Sequence, residues 1–458
     1  MTAAPAAAGA FGPAHPGLPR RLRARWADRL ARSLTLALLR RWGPPGLAVA
    51  EQGPDVPTVT QGRCDVPLTR LHQGGGAPND DRPKASGKAV VVVRDQAFYQ
   101  AFLLGGTAGL ARAYALGWWD CEDLAKLMDL GAQHLPRPGS LAGYLTGLAG
   151  WCRALASSRH QAAKACQKAQ VMAHYDLGDD FFASFLGPTM TYSCGIFERP
   201  GASMEEASVA KLRRACEKIG LKEHMQVLEV GGGWGSFALF AASAYGCQVT
   251  TTTVSPSQYA ATKRLVAEAG LAHLIKPLEA DYKQLSGHYD RLVSIEMVEA
   301  LPWRELDQFF ATCAGLLRPG GQMFLQAIVI AGSAYALAKR RRDFIKEVIF
   351  PGSNIPSLRA LRRSAGRAGL EEVACERIGH HYVQTLTSWR DRFLAERGRL
   401  EERGYKEELL RLWDLYFAYC RAGFAVGYLD DVQLVLTKGQ CTAPPARGRR
   451  GCQISKPV

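Results

Sequence analysis

A glycine-rich turn is the clearest sign of chemistry in this sequence. Residues 227–235 read Val-Leu-Glu-Val-Gly-Gly-Gly-Trp-Gly, and a second apolar stretch begins at Phe237. This order predicts a strand, a tight turn and a helix. Glycine permits positive φ and lets a ligand lie against the main chain, while the following helix directs its unpaired N–H groups at that ligand. The turn therefore predicts a nucleotide-type site. No Gly-Lys-Ser/Thr ending follows, which disfavours a triphosphate loop.

Two segments before this turn are dense in polar and aromatic residues. Residues 174–182 read His-Tyr-Asp-Leu-Gly-Asp-Asp-Phe-Phe, and residues 188–194 read Pro-Thr-Met-Thr-Tyr-Ser-Cys. Hydroxyls and backbone amides in turn-rich segments of this kind can contact a bound ligand. We expect both segments to cover the ligand that lies on the glycine turn.

Strands and helices alternate from the glycine turn onward. After the strand at 227–230, the pattern predicts strands over 248–254, 274–278, 291–295, 323–330 and 432–436, and helices over 237–245, 258–269 and 306–317. This alternation predicts an α/β fold with a doubly wound, mostly parallel sheet. Ligands of such sheets bind at the carboxyl ends of the strands, where Gly231–Gly235, Thr253, Asp281 and Glu296–Glu299 would meet.

The composition limits the class of protein. Of the 458 residues, 47% are hydrophobic and 22% are charged, which is typical of a folded globular protein. No apolar run reaches the roughly 18 residues that span a bilayer. A net charge of +15 favours an anionic partner such as nucleic acid or a membrane surface, unless basic tails account for the excess. The 12 cysteines include no Cys-x-x-Cys pair, so they indicate neither a metal site nor a redox dithiol.

Composition divides the chain into four regions. They are a disordered, basic N-terminal segment and linker (1–84), a small α+β N-terminal domain (85–150), the domain that holds the glycine turn (151–438) and a basic tail (439–458). In the first region, residues 18–42 are rich in arginine, and Trp26, Leu30, Leu34 and Leu38 are spaced for one helix face. This segment is compatible with an organelle presequence, an interfacial helix or an ordinary basic surface helix. The pair Trp118 and Trp119 predicts a packing anchor.

The motifs taken together resemble one family. In chain order they are Tyr175-Asp-Leu-Gly-Asp-Asp-Phe-Phe, Pro188-Thr-Met-Thr-Tyr-Ser-Cys, the glycine turn, Thr253-Val-Ser-Pro-Ser-Gln, Ser294-Ile-Glu-Met, Ile349-Phe-Pro-Gly-Ser-Asn-Ile-Pro and the aromatic stretch 413–424. They resemble cyclopropane-fatty-acyl-phospholipid synthases and the related mycolic acid methyltransferases, which use S-adenosylmethionine (SAM). The resemblance covers residues 105–438. Gly-Trp-Trp-Asp-Cys at 117–121 is similar to the longer, phospholipid-acting branch, and the implied fold is a seven-stranded methyltransferase sheet with helical lipid-binding insertions.

The resemblance implies the residues that bind SAM. Tyr192 and Ser193 correspond to contacts with the methionine part, Gly231, Gly233 and Gly235 to the turn beneath it, Thr253 and Gln258 to the segment that reaches the ribose, and Asp281 and Tyr282 to the adenine end. Tyr175 belongs to the same implied set. No metal is implied.

The resemblance also implies a bound bicarbonate ion. Its implied ligands are Cys194, Glu299, Gln326, Ile328 and Tyr382, and Cys420 corresponds to the cysteine described as an active-site residue, so that Cys420, Glu299 and Tyr382 form the implied catalytic set. Three positions depart from the family pattern. Gly232 replaces a cysteine, which we expect to be a mild change, and Ala300 replaces a histidine. Gln326 replaces a histidine that touches bicarbonate, and an amide can donate a hydrogen bond but cannot carry a proton.

The implied chemistry accounts for a site of this kind. A sulfonium methyl group and an unactivated cis double bond react only when they are held close together without water. Methyl transfer leaves a carbocation, and a base must remove a proton before a three-membered ring closes. The aromatic residues Trp413, Tyr416, Phe417 and Tyr419 either stabilise this cation or simply pack a helix.

The expected function is SAM-dependent methylene or methyl transfer to the cis double bond of unsaturated acyl chains in phospholipids, which forms a cyclopropane. Because Gln326 puts deprotonation in question, a methyl-branching enzyme and a catalytically impaired lipid-binding homologue stay open. We expect a cytoplasmic protein at the membrane surface that does not bind nucleic acid, with organelle targeting and a homodimer as options. The basic run Lys339–Arg342 is expected to attract lipid phosphates or to be a solvated charge run. His380 and His381 are predicted to be surface or packing histidines.

Overall fold

The computed structural model describes residues 20–42, 44–51, 58–61, 89–134, 177–340 and 343–439. Some predictions fall outside them in whole or in part. They concern Tyr175 and the start of the segment 174–182, the residues Arg341 and Arg342, and the basic tail. Among the residues that the structure describes, none of the helices combines the length and apolarity needed to cross a membrane.

The N-terminal unit is a four-stranded sheet covered by helices. Its strands are β1 (Leu47–Glu51), β2 (Thr58–Gln61), β3 (Ala89–Val93) and β4 (Trp119–Cys121), and its helices are Arg20–Trp42, Ala97–Ala115 and Leu124–Gln133. The strand order is β2-β1-β3-β4, with β1 parallel to β3. The predicted linker within residues 1–84 is therefore wrong in part, because β1 and β2 lie in it. Strands β1 and β2 are short and lie among glycines and prolines, so they gave little periodic signal.

The basic helix Arg20–Trp42 is docked onto this sheet. The Arg32 guanidinium binds both carboxylate oxygens of Glu51, at 2.7 and 2.5 Å, and the Tyr99 hydroxyl donates to the same carboxylate. Leu36 is buried, whereas Leu30, Leu34 and Leu38 are exposed. Trp119 is fully buried and donates its indole N–H to the carbonyl of Leu110 at 2.9 Å, which confirms the predicted packing anchor.

The main sheet has seven strands in the order β10-β11-β9-β8-β5-β6-β7. They are β5 (Gln226–Val230), β6 (Gln248–Thr253), β7 (Ile275–Glu279), β8 (Tyr289–Ile295), β9 (Leu317–Ile330), β10 (Leu370–Arg377) and β11 (Leu429–Lys438). Strands β5 to β9 pair in parallel, whereas β11 pairs antiparallel with both β9 and β10. The predicted doubly wound, mostly parallel α/β fold is confirmed.

Helices cover both faces of this sheet. They are Asp179–Leu186, Met204–Lys218, Ser236–Tyr245, Pro256–Glu268, Leu306–Leu316, Gly332–Ala338, Leu358–Arg367, Gly379–Ala395, Arg397–Glu402 and Glu407–Ala425. Short turns lie at Tyr282–Gln284, Val298–Ala300 and Ile345–Ile349. The chain winds from β5 through β6 to β7 on one side and from β8 to β9 on the other. The crevice that forms at such a reversal therefore opens between the carboxyl ends of β5 and β8.

The helix Glu407–Ala425 joins the two units. Arg411 donates to the carbonyls of Tyr114 at 2.7 Å and Trp119 at 3.1 Å, and its guanidinium lies 4.0 Å from the centre of the Tyr114 ring. Arg421 binds both carboxylate oxygens of Asp129, at 2.7 and 2.8 Å. These contacts hold the N-terminal unit against the domain that carries the glycine turn.

Candidate active site

The glycine turn after β5 offers one open backbone surface. Gly231, Gly233 and Gly235 have φ values of 83°, 56° and 85°. A Cβ atom on Gly231 would lie 2.4 Å from the Met297 side chain, and one on Gly235 would lie 2.7 Å from Thr262. A Cβ on Gly233 would meet nothing within 4 Å. Met297 and Thr262 thus pack against Gly231 and Gly235, whereas the main chain of Gly233 is open to a ligand.

Gly232 is required by its own surroundings. A Cβ there would lie 2.0 Å from the Thr251 hydroxyl and 2.8 Å from the Glu229 carboxyl. Thr251 donates to Glu229 at 2.6 Å, and burial raises the pKa of Glu229 to about 7. A cysteine does not fit beside this pair unless the pair moves. The effect of this glycine on activity stays a prediction.

The next two strands bring further predicted residues to the same edge. Thr253 ends β6 and donates to Gln258 at 2.8 Å, and the N–H of Ala280 binds the carbonyl of Thr253 at 3.0 Å. Asp281 follows at the end of β7 and accepts from the N–H of Lys283 at 3.0 Å. The glycine turn, Thr253 and Asp281 thus share the carboxyl edge of the sheet. Their roles toward SAM stay predictions.

The segment 188–194 packs over the glycine turn. Ser236 donates to the carbonyl of Thr189 at 2.7 Å. Ser193 is buried and accepts from Lys211 at 2.7 Å, and burial lowers the pKa of Lys211 to about 8. The hydroxyls of Thr189 and Tyr282 are buried without a hydrogen-bond partner among the described residues. Buried hydroxyls of this kind and the open backbone at Gly233 fit a polar ligand along the turn.

An apolar cavity of about 630 Å³ meets this edge and extends into the N-terminal unit. Glu296, Glu299 and Tyr382 line it beside the carboxyl ends of β8 and β9. Further lining comes from both units: Leu39, Val49, Val91, Phe98, Leu127, Tyr192, Ile328, Phe350, Tyr416, Tyr419 and Cys420. The lining combines an apolar wall with a few convergent polar groups, which is the usual form of a small-molecule site.

Glu296 occupies the centre of the polar end. It follows β8 directly and has a φ of 48°. Its Oε1 accepts from the N–H of Cys194 at 2.9 Å and from the Gln326 amide at 2.8 Å, and its Oε2 accepts from the Tyr382 hydroxyl at 2.5 Å. Three of the residues implied to hold bicarbonate therefore meet, but around a protein carboxylate. Cys194, Gln326 and Tyr382 therefore do not fit a separate bicarbonate ion. This anion would compete with the Glu296 carboxylate for the same donors and would lie beside its negative charge.

Glu299 lies next to Glu296 and is a different kind of carboxyl group. Its Oε1 accepts from the N–H of Ile328 at 2.5 Å, and its buried Oε2 has no partner among the described residues. Burial and the Glu296 charge raise the pKa of Glu299 to about 8. Glu299 is therefore mainly neutral at pH 7 and can donate a hydrogen bond.

A chain of polar side chains fixes the orientation of the Gln326 amide. The Lys218 ammonium, which can only donate, binds the Gln433 oxygen at 2.5 Å. The Gln433 amide N–H must then face the Gln326 oxygen, at 2.9 Å. The Gln326 nitrogen is left to donate to Glu296 and, at 2.9 Å, to Asp431. Gln326 thus works as a fixed donor, and proton transfer is not required of it.

Comparison with known proteins identifies the family. A profile of the family described as mycolic acid cyclopropane synthetase matches residues 160–434, which is more than half of the chain. The chain belongs to this family. The match contains the glycine turn, the carboxyl cluster and Cys420, and the N-terminal unit precedes it.

Several members of the cyclopropane synthetase family resemble the chain. Tuberculostearic acid methyltransferase UfaA1 of Mycobacterium tuberculosis is 32% identical over 81% of this chain and 88% of its own. Cyclopropane-fatty-acyl-phospholipid synthase of Escherichia coli is 29% identical over 81% of this chain and 92% of its own. The solved cyclopropane synthase MmaA2 of Mycobacterium tuberculosis superposes with a TM-score of 0.56 at 31% identity, covering 59% of this chain and 98% of its own. The solved CmaA1, complexed with SAH and CTAB, superposes with a TM-score of 0.56 at 32% identity over the same shares.

As a member of the cyclopropane synthetase family, the chain is a SAM-dependent methyltransferase that modifies lipid acyl chains. The residues that fit SAM are those along the glycine turn, at the ends of β6 and β7 and in the segment 188–194. Bound there, SAM supplies an electrophilic methyl group. The remaining family-derived predictions concern residues around the cavity.

Cys420, the cysteine that the family resemblance places in the catalytic set, lines the cavity wall. Burial and Asp343 raise the pKa of its thiol, which favours the protonated form. Cys194 contributes its backbone N–H to the polar cluster, and its thiol donates to the carbonyl of Gly195 at 3.3 Å. The place of Cys420 in the catalytic set stays a prediction.

The predicted aromatic and histidine residues divide into two groups. Tyr416 and Tyr419 line the cavity, whereas Trp413 and Phe417 pack against Phe181 and Phe185, with ring centres 4.9 and 5.2 Å apart. His380 is exposed. His381 accepts from the N–H of Phe197 at 3.4 Å, and burial lowers its pKa to about 4. Both histidines are surface or packing residues, as predicted.

Glu296 is the residue that sequence reasoning missed. The sequence placed 296–299 at the end of a parallel strand, but the family pattern drew attention to Glu299. The available signal was a second carboxylate at the strand end, three residues before Glu299. The direction of the Glu296 side chain depends on the positive φ of this residue. A positive φ is not expected from a sequence that has no glycine at that position.

Proposed function

We propose that this enzyme transfers the SAM methyl group to the cis double bond of an unsaturated acyl chain carried by a phospholipid, and that the product is a cyclopropane. The observation that supports this most directly is the apolar cavity of about 630 Å³ that ends at the carboxyl cluster beside the predicted SAM edge. An apolar acyl chain fits this lining, and its reacting carbons would lie where water is excluded.

The residues around the cavity end have roles that suit this reaction. The hydroxyls of Tyr192 and Tyr416 lie 3.1 Å apart at the cavity wall, so two aromatic rings border the same space. Phe350 lies beside both, with ring centres 6.5 and 5.9 Å away. Aromatic faces stabilise a nearby positive charge, and this would favour the carbocation that methyl transfer produces.

A phospholipid substrate requires access from a membrane. Thr35 and Leu39 of the helix Arg20–Trp42 line the cavity, while Leu30, Leu34 and Leu38 of the same helix are 45%, 49% and 40% exposed. We propose that this exposed leucine face lies on the bilayer and that the acyl chain enters beside it. The enzyme would then be a peripheral membrane protein on the cytoplasmic side, and it would not bind nucleic acid. A homodimer stays a prediction.

The basic run adds an electrostatic contribution to this proposal. Ala338 and Asp343, which flank the run, both line the cavity. Lys339 lies 4.7 Å from the Trp303 ring, and Arg304 stacks on the same ring at 4.7 Å. Cations next to an aromatic ring are suited to the interface of an anionic membrane.

Methyl branching is the second candidate. It is favoured by UfaA1, a methyltransferase by name, which matches 81% of this chain. The first step would be the same, but the final product would be a saturated methyl-branched chain and a reductant would be needed.

Lipid mass spectrometry separates the candidates. The full chain would be expressed in a host without such enzymes, and intact phospholipids would be analysed before and after a double-bond derivatisation. A gain of one CH2 with loss of the derivatisable double bond supports cyclopropanation. A gain of one CH2 and two further hydrogens supports branching. Unchanged lipids, together with SAH binding by the purified protein, would contradict both proposals and favour a lipid-binding homologue.

A further inference from the structure

We infer that the Glu296 carboxylate is the proton acceptor of this enzyme and replaces the bicarbonate ion that the family resemblance implies. The inference rests on the proposed function, since a proton must leave only if a methyl group is added to a double bond. It begins from the three donors at 2.5 to 2.9 Å that converge on the Glu296 oxygens. Bicarbonate and a glutamate side chain present the same planar pair of oxygens, so one can stand in for the other.

The negative charge of the cluster belongs on Glu296. Three carboxyl groups share this buried region: Glu296, Glu299 and Asp431. Burial and the charge of Glu296 raise the pKa of Glu299 to about 8 and that of Asp431 well above its ordinary value. Glu296 accepts from three donors of Cys194, Gln326 and Tyr382, whereas Glu299 accepts from backbone N–H groups, among them that of Ile328. A single charge in the cluster is therefore best stabilised on Glu296.

The position of Glu296 is suited to substrate contact. It lines the apolar cavity together with Glu299 and Tyr382. Tyr382, which donates to Glu296, is held by a stacked contact with Phe424 whose ring centres are 4.3 Å apart. Gln326 is held by Gln433 and Lys218, as described above. The carboxylate is thus fixed by side chains that have little freedom to turn away.

The proposed step balances in atoms and charge. After methyl transfer, the substrate carries a carbocation beside the new methyl group. Glu296 takes one proton from that methyl group, the electron pair of the broken C–H bond forms the third C–C bond of the ring, and the carboxylate becomes a carboxylic acid. The positive charge of the substrate and the negative charge of Glu296 are both lost. No additional reactant is needed.

The backbone at residue 296 provides a clean pair of variants. Its φ of 48° is in the left-handed region that glycine adopts freely. Glu296→Gly therefore removes the carboxylate without strain and leaves its donors open to a small anion. Glu296→Gln keeps the shape and fills the space, but a neutral amide cannot accept the proton. Both variants lack the carboxylate base, but only Glu296→Gly leaves space for a small anion in its place.

The first experiment measures turnover in carbonate-free buffer with and without added sodium bicarbonate or sodium formate. We expect wild-type turnover to be unchanged by bicarbonate. Both variants should lose about 100-fold or more in kcat, the usual contribution of a general base. Only Glu296→Gly should recover activity with the added anions. Dependence of the wild type on bicarbonate, or full activity of Glu296→Gln, would overturn the inference.

The second experiment does not depend on turnover. Binding of [13C]bicarbonate would be followed by NMR in the presence of SAH, with SAH titration calorimetry to show that each variant is folded. Binding to Glu296→Gly and none to the wild type is expected, while displaceable binding of the ion to the wild type would refute the inference. If the wild type modifies no lipid, the proposed function fails, and this binding result still decides whether Glu296 occupies the anion position.

Discussion

At the scale of single residues, the active cavity depends on carboxyl groups that differ only in their partners. Glu296 accepts from two side chains and one backbone N–H, Glu299 accepts from backbone N–H groups, and Asp431 shares the Gln326 amide. Burial raises the pKa of Glu299 and Asp431. Identical side-chain chemistry thus meets different surroundings within one cluster.

The neutral state of Glu299 gives a stability prediction with a definite sign. Its pKa is raised from 4.5 to about 8, so between these values the folded chain keeps a proton that the unfolded chain releases. The free energy of unfolding therefore falls as pH rises through this window. Glu299→Gln should make that fall shallower by at most about 1.4 kcal/mol per pH unit. Urea unfolding at several pH values tests this, with exposed Glu371→Gln as the control. Parallel curves for wild type and Glu299→Gln would contradict it.

Gln326 yields a second residue-scale prediction. It is fully buried, donates to Glu296 and Asp431 and accepts from Gln433. An imidazole has only two ring nitrogens, so Gln326→His leaves at least one buried partner unsatisfied. We expect a loss of roughly 1–3 kcal/mol in stability, together with lower turnover. Denaturant unfolding and lipid turnover would be compared with Gln322→His, at a half-buried position of the same strand. Higher turnover in Gln326→His would show that the family histidine is still the better residue here.

At the scale of elements, the glycine turn is matched to the neighbouring strand β6. The Thr251 hydroxyl on β6 fills the space that a side chain at Gly232 would need. The Glu229 carboxyl lies beside the same space, 2.8 Å from such a Cβ. The turn and the strand therefore have to be considered together.

A methyl group at position 232 tests this match. Gly232→Ala places Cβ 2.0 Å from the Thr251 oxygen, and we expect a destabilisation of about 1–3 kcal/mol with weaker SAH binding. Gly315→Ala is the control, because it lies in a helix with nothing within 4 Å of the new Cβ and should stabilise by about 0.5–1 kcal/mol. Thermal unfolding and SAH titration calorimetry supply the measurements. Equal behaviour of the two variants would refute the proposed match.

Elements with strong periodicity could be predicted from the sequence, and others could not. The predictions for strands β5, β6 and β8, which contain β-branched residues, lie within two residues of the bounds that the structure gives. Strand β10 was missed because it is an edge strand with largely exposed, charged residues, Glu371 and Glu372 among them. The sequence predicted that Gly231–Gly235, Thr253 and Asp281 lie at the carboxyl edge of the sheet, and the strand order agrees. It could not show that Cys194, Gln326 and Tyr382 surround Glu296, because that depends on tertiary packing.

At the scale of the whole molecule, the N-terminal unit completes the lipid cavity. Arg411 and Arg421 hold it against the helix Glu407–Ala425, and its residues Val91 and Leu127 line the same space as Glu296. The family profile begins at residue 160, so this part of the cavity lies outside the matched range. Substrate access and cavity length therefore depend on both units.

Membrane contact through the helix Arg20–Trp42 can be tested directly. Substituting Leu30, Leu34 and Leu38 together by glutamine keeps helix propensity and removes the exposed apolar face. We expect binding to phosphatidylglycerol vesicles to weaken about tenfold or more, equivalent to roughly 1.4 kcal/mol. The control is a triple glutamine variant at Val209, Val373 and Val426, which are exposed elsewhere. Equal vesicle binding by the two triple variants in a sedimentation assay would remove this helix from the proposed membrane face.

The shared cavity predicts that the N-terminal unit sets acyl-chain length. Leu127 is half-buried on the helix Leu124–Gln133 and lines the cavity, so Leu127→Trp should fill part of it. Because the reacting end lies across the cavity at Glu296, a shorter cavity excludes long chains before it affects short ones. We expect lower conversion of the longest acyl chains and nearly unchanged conversion of the shortest, measured by mass spectrometry on mixed-chain phospholipids. Leu130→Trp, on the same helix but outside the cavity lining, is the control. Unchanged conversion of the longest chains in folded Leu127→Trp would show that the acyl chain does not reach the N-terminal unit.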